Sequence, residues 1–453
     1  MIAAAASFSA RAQESQASGT LSLEQAVSAA LKYYPSVHVS QEQINAASAG
    51  IQLARTAYLP RVDGIAQVNR ATRNNVFGLL MPQSVIPSIS GPVIGTNNLG
   101  SVWGSAVGAL VSWEPFDFGL RGAGVAAATA ARAQSEAALK RTQFEIGVAA
   151  ADAYLTLLAA QETIRASQAG VDRAGTLLKI IAAQVDAQLR PGADKSRAEA
   201  ELAAARTQLI QAQQAAGVAR ANLAQFVGMQ PADIAIAAGG LLQPPPEATP
   251  SSPNLTGNPF VAEQNATLEQ ARAQLRVLER SYFPKFSLQA SAYARGSGAE
   301  VTGARLGGAN GLAPSIQNYA VGFTVTFPLM DLPSVRAREA AQTATIRAQV
   351  AKSEQLMVEL RAQWNRAVAT LTGARNIAAN TPVQVSAARA AAQQAAARYQ
   401  SGLGNIAEVA DAQRLQTQAE IDDSLARLSV WRGLLGIATV AGDVQPFIVE
   451  AGR

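Results

Sequence analysis

Apolar and polar residues alternate with a period of two in four short segments of the sequence. In the last of them, large apolar residues occupy every second position and small or hydroxyl residues lie between them. Its apolar positions are Tyr319, Val321, Phe323, Val325 and Phe327. Such alternation predicts strands at about 61–76, 101–113, 285–295 and 318–329. The pattern fits both a half-buried soluble sheet and a sheet with one face against lipid.

The remaining sequence is rich in alanine, the strongest helix former, and its apolar residues recur at helical spacing. It predicts two long helical hairpins, at 120–227 and 334–440. A helix over 120–189 would be roughly 100 Å long at about 1.5 Å per residue. A helix of that length needs packing partners, and stripes of alanine allow the close contacts of a coiled coil.

The order of predicted elements occurs twice: a helix, two strands and a helical hairpin. Landmark residues recur with a shift of 224 positions before the first strand and of 214 positions after the second. The pairs are Pro35 and Pro259, Pro60 and Pro284, Asp117 and Asp331, Leu189 and Leu403, and Gly228 and Gly442. The sequence therefore predicts a duplicated unit.

The repeats set the predicted boundaries along the chain. The first repeat is expected at 21–240 and the second at 258–442, joined by a Pro- and Ser-rich linker at 241–257. Residues 1–20 are interpreted as the remnant of a secretory signal, because small residues dominate them as they do near a cleavage site. Residues 443–453 are expected to form a C-terminal tail.

Two stretches without Asp, Glu, Lys or Arg favour lipid over water as the surroundings of the strands. They span 74–113 and 306–330 and fall at matching places in the two halves. A charge in hydrocarbon is costly, and only helices or closed barrels satisfy the backbone there. The Pro and Gly content of these stretches excludes helices. Because four strands cannot close a barrel, several copies are expected to share one with cyclic symmetry.

The composition argues against an enzyme and against nucleic-acid binding. Lys and Arg number 37 against 32 Asp and Glu, and no dense basic run occurs, so no binding to nucleic acid is expected. The chain has no cysteine and one histidine, His38, so no metal or cofactor site is expected. The carboxylates are dispersed, which disfavours an acid–base active site.

Several motifs resemble those of the TolC-type outer-membrane efflux channels, over about residues 21–442. The motifs are the step Tyr58-Leu59-Pro60, the segment Pro115-Phe116-Asp117-Phe118-Gly119 and the hairpin tips at 189–194 and 399–411. The resemblance implies a homotrimer with a twelve-stranded barrel in the outer-membrane lipid and a periplasmic α-helical tunnel. It also implies that the tunnel tip docks a periplasmic adaptor (membrane fusion) protein joined to an inner-membrane RND or ABC transporter.

The same resemblance assigns roles to residues at the tips. Tyr399 and Asp194 are expected to hold the entrance closed, and Glu408 and Asp411 to line the pore constriction. The residues expected at the adaptor-docking surface are Leu189, Arg190, Gly192, Gly402 and Leu403. Three copies of the two carboxylates around one axis would favour cations, whereas the same residues taken singly also fit ordinary solvated charges.

Two tip positions depart from the family. Gly404 stands where the family often has an arginine, so different closed-state contacts are expected. Gln188 stands where a glycine is usual, which leaves the geometry of the first turn open.

The sequence favours a passive export channel of a tripartite efflux or type I secretion system, opened at its periplasmic tip by the adaptor and pump. The alternative is a periplasmic coiled-coil scaffold or adaptor without a pore. The charge-free strands favour the channel. No sequence feature selects a cargo, because drugs, metal ions, other small molecules and proteins pass through similar channels.

Overall fold

The structure is a computed structural model, and it describes residues 20–72, 100–245, 255–300 and 304–452. Nearly all of the predicted signal remnant lies outside the described residues. So do the charge-free loop before residue 100 and the middle of the predicted linker.

Helices make up most of the described chain, and four strands lie between them. In chain order the elements are α1 (Leu23–Tyr33), α2 (Pro35–Thr56), β1 (Arg61–Thr72), β2 (Ser101–Phe116), α3 (Leu120–Asp186), α4 (Gly192–Val227), α5 (Pro259–Arg280), β3 (Lys285–Ser297), β4 (Ile316–Thr326), α6 (Leu332–Gln400), α7 (Ile406–Ala441) and α8 (Gln445–Ala451). The predicted fold class, mostly helical with a duplicated unit of helix, strands and hairpin, is confirmed. Among the described helices, none is both long enough and apolar enough to cross a bilayer.

The chain divides into two compact units. We call them the helical unit, which comprises residues 1–42, 137–263 and 353–453, and the strand unit, which comprises residues 43–136 and 264–352. The hairpin tips lie in the helical unit, and all four strands lie in the strand unit.

Proline and capping residues set the first helix boundaries. α1 ends at Tyr33 and α2 begins at Pro35, because a proline has no N–H to continue the first helix. At the start of α1, Ser22 Oγ accepts the Gln25 N–H (3.2 Å) and Gln25 Oε1 accepts the Ser22 N–H (2.9 Å). This reciprocal pair satisfies two N–H groups that a helix start otherwise leaves without acceptors.

The strand ends differ from the predicted positions. β4 ends at Thr326, three residues early, because Pro328 cannot donate to a ladder, and a 3₁₀ turn over Leu329–Asp331 follows. β2 continues three residues beyond its predicted end, to Phe116. β1 is described as far as Thr72, so the predicted positions 73–76 lie outside the described residues.

The four strands form one antiparallel sheet in the order β1-β2-β3-β4. Its register places Val62, Val111, Ala290 and Val321 in one row across the sheet, and Arg61, Ser112, Gln289 and Gly322 in the next row. Because neighbouring rows point to opposite faces, the sheet has an apolar face and a more polar face. Tyr319, on the apolar face, is 85% exposed in the single chain.

A buried carboxylate and an aromatic cluster fix the junction between β2 and α3. Asp117 accepts the backbone N–H of Gly119 (3.1 Å) and both the backbone N–H (2.6 Å) and the Nε (2.9 Å) of Arg121. Burial opposes the charge, but these hydrogen bonds lower the pKa of Asp117 below its usual value. Phe118 has a φ of 51° and stacks on Phe283 with centroids 5.1 Å apart, so side-chain packing accompanies the strained backbone.

Tyr154 is fully buried in the main core of the helical unit. Its hydroxyl proton is shared between the carbonyl oxygens of Leu21 (2.9 Å) and Ala237. Leu21 forms a parallel bridge with Ile236, the residue before Ala237. Burial raises the pKa of Tyr154 to about 12, so the hydroxyl stays protonated and remains a donor. Phe447 and Ile448 of α8 are buried in the same core, so the predicted tail contains a packed helix.

Candidate functional site

Each long hairpin reverses direction through the same backbone turn. In the first tip, the Leu189 N–H donates to the Gln184 carbonyl (2.8 Å), and Gln188 adopts a φ of 60°. In the second tip, the Leu403 N–H donates to the Arg398 carbonyl (2.8 Å), and Gly402 adopts a φ of 79°. This is the Schellman arrangement, with a left-handed residue after the last helical turn.

Gln188 therefore reproduces in the first tip the turn that Gly402 forms in the second. A left-handed backbone conformation is energetically unfavourable for a residue with a Cβ, but not for glycine. The first tip forms the turn nevertheless, and its Gln188 N–H also donates to the Val185 carbonyl (2.9 Å). Glutamine in place of the glycine that is usual in the family therefore adds strain to the first turn but leaves its geometry the same.

A small hydrophobic cluster, here called the tip core, joins the ends of the four long helices. Its buried members are Ile181 of α3, Ala198 of α4, Tyr399 of α6, and Ile406 and Val409 of α7. Leu177, Leu178, Val185 and Ala395 pack around them. Burial of these side chains holds the two hairpins together at their tips.

The structure brings together the two residues predicted to close the entrance. The Tyr399 hydroxyl donates to Asp194 Oδ2 at 3.0 Å, and the tyrosine is only 2% exposed. Asp194 lies in the first turn of α4, where the helix dipole favours a carboxylate. Burial of the tyrosine, then its hydrogen bond to Asp194, raises the pKa of Tyr399. We call this hydrogen bond between α6 and α4 the latch.

Arg190 also contacts Tyr399, which sequence reasoning missed. A terminal guanidinium nitrogen donates to the Tyr399 backbone carbonyl at 2.6 Å. The guanidinium carbon lies 4.4 Å from the centroid of the tyrosine ring, within the range of a cation–π contact. The resemblance had placed Arg190 only among the adaptor-docking residues. No sequence signal marks the contact, because it depends on where the first turn places a long side chain.

The carboxylates predicted to line the constriction each have a basic partner in the same chain. Glu408 is the third residue of α7, and its N–H is capped by Asn405 Oδ1 (3.0 Å). Its carboxylate lies 3.9 Å from the Arg398 Nε. Asp411 forms an ion pair with Arg414. Each predicted carboxylate therefore lies beside an arginine, and Arg414 also pairs with Glu201 of α4 (3.7 Å).

The predicted docking residues occupy the two turns and the start of α4. Leu189 and Leu403 are 73% and 74% exposed, at the same position of the two Schellman turns. Gly402 holds the left-handed position of the second turn, and Gly192 begins α4. Each tip therefore presents one large apolar side chain to its surroundings.

A second polar cluster ties α7 to two other helices. Glu420, whose side chain is 15% exposed, accepts from Arg173 of α3 (3.0 Å) and from Arg389 of α6 (3.2 Å). Gln416 also donates to its carboxylate (3.0 Å), and Arg173 donates to Thr417 Oγ1 (2.8 Å). Burial opposes the charge, but hydrogen bonds from Gln416, Arg173 and Arg389 and the positive charge of Arg173 lower the pKa of Glu420. We call this group the Glu420 cluster.

Comparison with known proteins agrees with the fold. Protein CyaE of Bordetella pertussis is 26% identical over 437 residues, which cover 93% of this chain and 86% of that protein. The solved structure of the outer-membrane channel OprN superposes with a TM-score of 0.72 at 23% identity, covering 93% of this chain and 89% of that chain. The Campylobacter jejuni CmeC outer membrane channel gives 0.73 at 15% identity, covering 95% and 89%.

The sequence pattern described as "Outer membrane efflux protein" matches residues 26–229 and again residues 252–443. This match covers most of both repeats. It confirms the predicted resemblance, the outer-membrane location and the function in efflux. The chain belongs to the outer membrane efflux protein family.

Proposed function

We propose that three copies of this chain form one export duct whose periplasmic entrance is held closed by the latch between Tyr399 and Asp194. The observation that carries the proposal is the latch itself, a hydrogen bond of 3.0 Å from a tyrosine that is 2% exposed. It joins the ends of two helices from different hairpins, α4 and α6. Separation of the hairpins must break this bond and expose the tip core.

The sheet supports the assembly of several copies. Its edge strands, β1 and β4, have no neighbour on their outer sides within the described chain. Unpaired backbone groups are strongly disfavoured in hydrocarbon, so the edges of neighbouring copies are expected to pair. A scaffold without a pore would have no use for the exposed apolar face that carries Val62, Tyr319 and Val321.

The two exposed leucines support docking of a periplasmic adaptor, which would link the duct to an inner-membrane RND or ABC transporter. Leu189 and Leu403 protrude at equivalent positions of the tips, and burial of these exposed apolar side chains against a partner would stabilise its docking. Replacement of both by Asp should abolish export while trimer formation is retained. Undiminished export by this variant would argue against docking at the leucines.

Single-channel recording of the purified trimer in planar bilayers tests the gate. Tyr399→Phe removes the hydroxyl and retains the packed ring, and Asp194→Ala removes the acceptor. A charge-assisted hydrogen bond is worth about 1.5–3 kcal/mol, so each variant should increase the open fraction by roughly ten-fold or more. The double variant should resemble the single ones, because both changes remove the same bond.

Arg206→Ala, a change at an exposed position of α4, provides the control and should leave the open fraction unaltered. A wild-type open fraction in all three latch variants, with intact trimers, would reject the gate.

A further inference from the structure

Different parts of Tyr399 are held by two residues of the first tip. Asp194 accepts from its hydroxyl, whereas Arg190 contacts its ring and its backbone carbonyl. We propose that Arg190 is a positioning residue of the gate, a second arm that restrains the end of α6 independently of the Asp194 hydrogen bond. The inference rests on the proposed gate at this tip.

The carbonyl that Arg190 contacts lies at a favourable place for a cation. Tyr399 is the penultimate residue of α6, a helix that ends at Gln400. The last carbonyls of a helix have no partner within it and carry the negative end of its dipole. The Tyr399 carbonyl accepts from the Gly402 N–H at 3.1 Å and from Arg190 at 2.6 Å. The guanidinium therefore connects the end of α6 to the turn between α3 and α4.

Neighbouring cations have other partners. Arg398 donates to the Leu403 carbonyl (3.2 Å) and lies near Glu408, within its own tip. Lys195 pairs with Asp186 (3.6 Å) within the first hairpin. Arg190 reaches from the first hairpin to the second, and Arg414 reaches from the second hairpin to Glu201 of α4 (3.7 Å).

The second tip has little room for a side chain at position 404, where the family often has an arginine. A Cβ on Gly404 would lie 3.1 Å from Glu408 Oε2, 3.3 Å from the Arg398 Cβ and 3.4 Å from the Tyr399 nitrogen. These distances are tight for a side chain. The contacts of this gate therefore differ from those expected of an arginine at 404, because the cation comes from the first tip.

The chemistry of the two arms makes them separable. Tyr399→Phe removes the hydroxyl but retains both the ring and the carbonyl, so the Arg190 contacts remain possible. Arg190→Ala removes these contacts and leaves the hydrogen bond to Asp194. Because the two restraints act on separate atoms of Tyr399, the effect of Arg190→Ala should persist in the Tyr399→Phe background, whereas two changes that abolish one bond should not add.

The test compares the open fraction of purified trimers in planar bilayers for wild type, Arg190→Ala, Arg190→Lys, Tyr399→Phe and the Arg190→Ala, Tyr399→Phe double variant. Arg190→Ala should raise the open fraction roughly ten-fold, as expected for loss of a charged hydrogen bond. Arg190→Lys should give a smaller rise, because an ammonium can donate to the carbonyl but lacks the planar guanidinium that stacks on the ring. The double variant should have a higher open fraction than either single variant.

A second readout uses the absence of cysteine from the chain. Val409→Cys places one thiol in the tip core, at a residue with 0% exposure. Its labelling rate by a water-soluble maleimide should rise when Arg190→Ala is added and stay unchanged when Arg206→Ala is added. Trimer migration in detergent gels verifies that each variant is assembled.

The outcomes separate this inference from the proposed gate. A rise for Tyr399→Phe with wild-type behaviour of Arg190→Ala in both readouts overturns the role of Arg190 and leaves the gate in place. An effect of Arg190→Ala that disappears in the Tyr399→Phe background overturns the independence of the two arms. Wild-type behaviour of every assembled variant rejects the gate itself, and the inference with it.

Discussion

At the residue scale, strain in one turn distinguishes the two tips. Gln188 and Gly402 occupy the same left-handed position, with φ values of 60° and 79°. Glycine tolerates this conformation, whereas a side chain meets the following carbonyl. The first tip is therefore expected to open locally more easily than the second.

Exchanging the residues at these two positions tests that expectation. Gln188→Gly should stabilise the first turn by about 0.5–1 kcal/mol, the left-handed strain less the added freedom of the unfolded chain, and Gly402→Gln should destabilise the second by a similar amount. Hydrogen exchange of the Leu189 and Leu403 amides, which close the turns, measures both effects. Equal protection of these amides in the wild type and in both variants would show that the turns are not strained at these positions.

Residue roles could be predicted only where a motif carries them. Tyr399 and Asp194 were predicted together, and the structure places them in one hydrogen bond. The contact of Arg190 with the same tyrosine and the pairing of Asp411 with Arg414 could not be predicted. Such pairs depend on the reach of long side chains between segments whose relative positions the sequence does not specify.

At the element scale, the Glu420 cluster connects three helices through one carboxylate. Arg173 and Arg389 approach it from α3 and α6, and Gln416 donates from one turn earlier in α7. The folded-state pKa of Glu420 lies below its ordinary value of 4.5. Its contribution to stability is therefore complete above about pH 4.5 and is lost as the pH falls through the lower folded-state pKa.

Glu420→Gln should lower the free energy of unfolding by about 2 kcal/mol at neutral pH, because the two arginines lose their anionic acceptor and an amide N–H₂ replaces one acceptor oxygen. Thermal melting followed by circular dichroism measures the gap between variant and wild type, which should narrow as the pH falls below about 4.5. Asp172→Asn, a change of an exposed carboxylate on α3, is the matched control and should alter the melt little. A gap that is the same at pH 7 and pH 3.5 would contradict the assigned role of the Glu420 carboxylate.

The elements themselves were largely predictable, since local signals define them. Pro35 ended α1, and alternation located the four strands. The end of β4 was predicted three residues late, because the alternating pattern continues to Phe327 whereas the ladder stops before Pro328. α8 has only seven residues, and its formation depends on burial of Phe447 and Ile448, which is a tertiary effect.

At the scale of the whole molecule, the arginines near the entrance determine how strongly its carboxylates favour cations. In the proposed trimer, three copies of Glu408 and Asp411 would attract cations, but Arg398 and Arg414 lie beside them. The predicted cation preference should therefore be weak in the native channel. It should strengthen when an arginine is removed.

Arg414→Gln removes the cation that pairs with Asp411 and Glu201, and it should raise the permeability ratio of K⁺ to Cl⁻. Unit charges ~8 Å apart in water interact by about 0.5 kcal/mol, which corresponds to roughly two-fold for each exposed carboxylate. Reversal potentials in a salt gradient measure this ratio. Arg414→Lys retains the charge and should behave as wild type, and Glu408→Gln with Asp411→Asn should shift the ratio the other way. An unchanged reversal potential in Arg414→Gln would contradict a place for Asp411 in the conduction path.

The latch joins α4 and α6 of a single polypeptide. In a trimer, each subunit would then carry its own lock, and the release of one would leave the other two intact. Mixed trimers with zero to three Tyr399→Phe subunits should consequently display four open fractions that rise with the number of variant subunits, rather than one concerted change. Leakage through the duct would increase with the number of Tyr399→Phe subunits. In a cell that produces both wild-type and variant subunits, the outer membrane would therefore become gradually more permeable.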